Sequence, residues 1–241
     1  MSKKEIIIKA DDYKYPSLDE RKEVIKNYPT LTSFGFKYKS GLESLINDEL
    51  SFDDALKKEN LYWWDNCLLN RFGTLKETYI FMLTSYKRGF NDDYSNCSHL
   101  EIVNRLQFDY FAEIFYYYFF SSRDIIAQII RLYYKINIKE NKLHFNEDFI
   151  RKINEVKVKD SSMAFLKATK VASEFRNGFA HRFTPTISDY RINITEEEGK
   201  RYLNFGIGNF TKSKKIVENI DYSLTSLITL IDELKQHLIN E

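Results

Sequence analysis

Between Ser98 and Lys135 the chain runs without a glycine or a proline. Nothing in that stretch interrupts a backbone ladder, so it reads as one long helix or as two stacked end to end. Apolar residues cover nearly all of its faces between Phe108 and Phe120. A helix of that kind is buried on several sides or lies in an oligomer interface. Its longest apolar run, Ile114 to Phe120, is soon followed by Arg123 and Asp124. That falls short of the roughly 18 apolar residues that span a bilayer.

The remainder of the chain points to the same fold class. In 241 residues there are only 8 glycines and 3 prolines, while aromatics make up 16%. This balance disfavours sandwiches and barrels, which need many Gly/Pro turns, and excludes a low-complexity chain. Ser17 with Glu20 is a capping-box spacing and predicts a helix to about Asn27. Ser51-Phe52-Asp53-Asp54 opens a second helix to about Asn70, which Gly73 breaks. Thr74 with Glu77 opens a third, to about Lys87. The polar loop Asn91–Asn96 is the expected boundary between an N-terminal helical extension (1–95) and a second helical domain (96–241), unless the two form one continuous fold. Within the second part a short helix is expected from Glu147 to Val156, and another from Ser161 to Phe183, ended by Pro185. Over 187–208 the period changes to two: Tyr190, Ile192 and Ile194 alternate with polar residues, Glu197–Lys200 is a turn, and Tyr202–Ile207 returns. That is a β-hairpin. A final helix runs from Lys212 to Ile239. The fold class is therefore all-α, with extra N-terminal helices and a small inserted hairpin.

Composition narrows the chemistry. The net charge is +1, so a wholly basic coat for nucleic acid is absent. Eight basic residues against three acidic ones nevertheless give residues 151–182 a local charge of +5. That is a patch for a phosphate backbone or a solvated helix face. Cys67 and Cys97 suit a reducing cytoplasm and cannot form a disulfide scaffold. Ile6-Ile7-Ile8 is too short for the apolar region of an export signal. The four histidines lie far apart in sequence, and no Cys/His pair has zinc spacing, so neither metal nor cofactor is expected.

One segment carries a recognisable constellation: Glu174-Phe175-Arg176-Asn177-Gly178-Phe179-Ala180-His181-Arg182-Phe183. Arg176 and His181 frame four residues, and Asn177 follows the arginine. This resembles the R-x4-6-H motif of the HEPN superfamily. The resemblance implies a dimerising helical bundle and, in the catalytic branches, a metal-independent endoribonuclease. There the Arg and His of two protomers meet in one cleft. It implies a bacterial toxin or phage-defence effector, with RNA, a second copy and a cognate antitoxin as partners. The alternative is a non-catalytic HEPN-like dimer that binds RNA, nucleotide or protein.

The residues allow that chemistry. A histidine moves protons near neutral pH, and an arginine presents a planar, always charged fork to phosphate. His181 is the candidate acid/base, Arg176 the phosphate ligand and Asn177 its positioner. Lys167, Lys170 and Arg182 are candidate RNA-binding cations. At about 100° per residue, Ala168, Val171, Phe175 and Phe179 form a core stripe, with Lys170, Asn177 and His181 opposite. Gly178 either ends the helix in left-handed geometry or lets another backbone approach. An Arg/His pair capping a helix end is the structural alternative. Asp124, Gln128 and Arg131 share one helix face and line the same cleft, form a buried hydrogen-bonded network or make an exposed strip. Tyr116-Tyr117-Tyr118 stack bases or pack, Trp63-Trp64 belong to a core or interface, and Cys67 is expected to be an inert small hydrophobe.

Overall fold

The computed structural model describes residues 7–37, 46, 51–94, 97–206 and 208–239. Ile6, Ser95, Asn96 and Ile207 lie outside these. Helices dominate: α1 (Leu18–Ile25), α2 (Phe52–Arg88), α3 (His99–Tyr133), α4 (Glu147–Arg151), α5 (Val156–Ala168), α6 (Lys170–His181) and α7 (Ser213–Leu238). The strands β1 (Ile192–Glu197) and β2 (Lys200–Phe205) form an antiparallel pair between α6 and α7.

The expected break at Gly73 does not occur, since α2 is one helix through it. Thr74 caps nothing; its hydroxyl donates to the Asn70 carbonyl inside the helix. Phe72 and Leu75 beside the glycine are buried. Tertiary packing of that face outweighs the roughly 1 kcal/mol a helical glycine costs. The glycine-free stretch after Ser98 is the single helix α3, opened by a Ser98/Glu101 capping box. Most of its apolarity is absorbed within the chain, with Tyr110 and Tyr117 left exposed. Phe108, Ala112, Phe115, Tyr116, Phe119 and Phe120 are all buried, with α2 packed along α3. One core cluster runs from Val24 to Leu238 and draws on both sides of residue 95.

A second difference concerns the motif helix. The expected helix 161–183 starts earlier and is divided at Thr169, without glycine or proline. The buried Thr169 hydroxyl donates to the Phe165 carbonyl, which the Thr169 N–H also reaches. Such back-bonding by a threonine bends helices. The face rotates with the bend. Val171, expected in the core, is exposed, and Ala172 is buried in its place. Phe175 and Phe179 still pack inward, with ring centroids 5.8 and 6.0 Å from that of Tyr116. The short helix also ends sooner than expected, at Arg151. Ile7 and Ile8 are not in a strand. Hairpin register follows the alternation, Ile192 opposite Phe205 and Ile194 opposite Leu203. Glu198 and Gly199 both take positive φ at its turn, as a two-residue hairpin loop requires.

Candidate nucleic-acid site

α6 ends at His181 because the chain turns back there. Arg182 is extended, and Pro185 comes to lie against the helix at Gly178. A Cβ at Gly178 would sit 2.7 Å from Pro185 Cγ. Gly178 is therefore a place of close approach within the helix, not a left-handed stop.

The returning loop is fixed from beneath by Arg105, a residue of α3 with no exposed surface. Its guanidinium donates to Asp92 (2.7 Å), Asp109 (3.2 Å) and the Thr186 carbonyl (3.0 Å). Tyr94 donates its hydroxyl to the same Asp109. Asp92 also accepts from the first N–H of α7. One buried arginine thus ties α3, the loop after the motif and the start of α7. Sequence reasoning missed it; the local signal was the i, i+4 pair of Arg105 with Asp109 on a mostly apolar helix.

Arg176 is half-buried and lines a cavity of about 400 Å³ between α2, α3 and α6, with Trp64, Arg71, Tyr117, Asp124 and Gln128 among its walls. Its Nη1 donates to Asn177 Oδ1 at 3.0 Å. Among the described residues neither Arg176 nor Arg71 forms an ion pair; Arg71 instead lies over the Tyr118 ring, 5.2 Å from its centroid. Two guanidiniums without a carboxylate partner beside one cavity make an anion-binding wall. Deeper in, Arg123 lies over the rings of Phe120 and Phe145 and 3.5 Å from Asp124. Burial pushes its pKa down and Asp124 raises it, while the positive charge of Arg176 lowers it further. Asp124 Oδ1 also accepts the Phe145 N–H. Gln128 donates to the Glu140 carbonyl, which fixes its amide orientation and leaves Oε1 buried without a partner.

The structure thus brings Asp124, Gln128 and Arg176 together. Arg131 does not join them: it donates to the Ile138 carbonyl and approaches Glu140, holding the connector after α3. His181 is exposed and is not part of the cavity wall. Lys167, Lys170 and Arg182 are exposed too. The tyrosine triplet divides: Tyr116 is buried and bonded to Asn219, Tyr117 is exposed at the cavity, and Tyr118 lies under Arg71. Cys67 is exposed at the cavity, because the α2 face it occupies borders this opening. Trp63 is exposed and Trp64 half-buried. Among the described residues no group of three or more His, Cys, Asp or Glu side chains is placed to hold a metal ion, and no helix is long and apolar enough to cross a membrane.

Residues 64–238 match the HEPN_Cthe2314-like HEPN family. The chain belongs to this HEPN family. No curated protein and no solved structure matches it. The HEPN match begins inside α2 and covers the cavity, the motif helix and the hairpin. HEPN proteins include ribonucleases and nucleotide-binding modules, and the fold is helical, as here.

Proposed function

We propose that this HEPN protein is an endoribonuclease whose site is completed by a second copy of the chain. The observation that carries the reading is Arg176, held by Asn177 on the wall of the cavity and, among the described residues, in no ion pair. A guanidinium so placed is available to a phosphate. In a single chain the exposed His181 is not among the residues of that cavity wall. A symmetric dimer about the motif face would bring the His181 of one protomer to the Arg176 of the other.

RNA supplies its own nucleophile. His181 takes the 2′-OH proton, the 2′ oxygen attacks the adjacent phosphorus, and the P–O5′ bond breaks with a proton returned to the leaving oxygen. Arg176 stabilises the charge that builds on the phosphoryl oxygens. The products are a 2′,3′-cyclic phosphate and a 5′-hydroxyl. The setting that fits such an RNA cutter is a cytoplasmic toxin or phage-defence effector restrained by a cognate antitoxin.

Incubation of the purified protein with mixed RNAs in EDTA tests this. Cleavage that leaves 2′,3′-cyclic phosphate, lost in His181→Ala and blocked by a 2′-deoxy substitution at the cut, is the expected result. The exposed position of His181 favours one second reading, a non-catalytic module that binds RNA or nucleotide through the Arg176 cavity. Salt-sensitive RNA binding equal in wild type and His181→Ala, with no cleavage by either, would select it.

A further inference from the structure

We propose that the cavity beside Arg176 is a base-reading pocket for a guanine next to the bound phosphate. The inference rests on Arg176 as a phosphate ligand and adds what the neighbouring nucleotide must be. Three observations meet there. Arg71, without an ion-pair partner among the described residues, stands on the opposite helix of the same cavity, so a second phosphate has a second guanidinium. Trp64 and Tyr117 supply aromatic faces at the cavity wall, and stacking on such rings holds a base without choosing it. Asp124 makes the choice.

The Asp124 side chain is partly open to solvent, and its polar contacts, from Arg123 and the Phe145 N–H, both fall on Oδ1. Oδ2 is left to face a ligand. A carboxylate only accepts hydrogen bonds. Guanine alone among the four bases presents two adjacent donors, N1–H and the N2 amino group, on its pairing edge. Adenine and cytosine each place a bare ring nitrogen beside their amino group, and uracil flanks its single N–H with two carbonyls; both arrangements set an acceptor against the carboxylate. Gln128, one helical turn from Asp124, already commits its amide N–H to the Glu140 carbonyl, and its Oε1 is buried. The cavity volume lies in the range of small-ligand sites.

Binding decides it without relying on cleavage. Filter binding of His181→Ala protein to a labelled oligouridylate carrying one central G, A, C, U or inosine is the measurement. Guanine is expected to bind on the order of tenfold tighter than the other bases. Inosine, which lacks only the N2 amino group, is expected to lose most of that advantage, and Asp124→Asn to erase it. Arg71→Ala should weaken all five oligonucleotides alike. Equal affinity for the five, or inosine equal to guanine, overturns the pocket, and the inosine comparison holds even where Asp124→Asn fails to fold. Guanine preference with no cleavage by wild type would support the pocket and overturn the nuclease reading. Cleavage indifferent to base, in wild type and Asp124→Asn alike, would do the reverse.

Discussion

Two arginines of this protein show how one residue type serves opposite ends. Arg105 is sealed within the chain with two carboxylates and a carbonyl, whereas Arg176, at the cavity wall, donates to an amide oxygen and is in no ion pair among the described residues. Arg105→Met leaves Asp92 and Asp109 without their cation in a buried place, and is expected to destabilise the fold by about 3–5 kcal/mol in urea unfolding. Arg176→Ala is expected to change stability by less than about 1 kcal/mol. Its effect should appear in cleavage instead. Arg176→Lys should be nearly as inactive as Arg176→Ala, because an ammonium keeps the charge and loses the two-pronged fork. Activity retained by the lysine variant would reduce Arg176 to a point charge. The motif residues were legible in sequence because their spacing is local. Arg71, Trp64 and Arg105 were not, since their meaning comes from neighbours on other helices.

At the scale of elements, two glycines inside helices predict opposite signs. A Cβ at Gly73 would meet nothing within 4 Å. Gly73→Ala is therefore expected to raise stability by about 0.5–1 kcal/mol. At Gly178 the new methyl would meet Pro185 at 2.7 Å, and overpacking of about 1–3 kcal/mol is expected. Gly178→Ala combined with Pro185→Ala should recover part of it, since only a shared contact couples the two. Thermal unfolding of the four variants reads both. Sequence punctuation misled at Gly73 and at Thr169 for one reason: each backbone choice was decided by packing and a local hydroxyl bond, not by propensity.

The first helix offers a pH test. Glu20 on α1 receives Arg88 of α2 at 2.8 Å, and that guanidinium, aided by the Ser17 cap, lowers the Glu20 pKa to about 2. The folded value lies below the ordinary glutamate value near about 4.3, so the pair stabilises α1 above that pH. The contribution falls away as pH drops from there through about 2. Protection factors of α1 amides, which correct for the intrinsic pH dependence of exchange, should fall over that interval in wild type, and Glu20→Gln should show the low protection throughout. Identical pH profiles for the two proteins would remove the Glu20–Arg88 pair from the account.

For the molecule as a whole, the sequence conveyed the fold class, the long central helix, and the hairpin with its turn, because each is written in a local pattern. It did not convey how α2 and α3 pair, since that depends on which aromatic faces meet, as with Phe81 and Phe111 at 4.6 Å. Most of the apolar wrapping of α3 serves the chain's own core, while Tyr110 and Tyr117 stay exposed. The case for a second copy therefore rests on the site: Arg176 lines the cavity and His181 does not. Mixing two inactive variants tests that claim directly. If each site takes Arg176 from one protomer and His181 from the other, a heterodimer of Arg176→Ala with His181→Ala holds one intact site. Unfolding and co-refolding the two together should then restore RNA cleavage in EDTA, to a fraction of wild type set by the share of heterodimers. A mixture as inactive as its parents, beside a wild type that cleaves, would contradict a site shared between two chains.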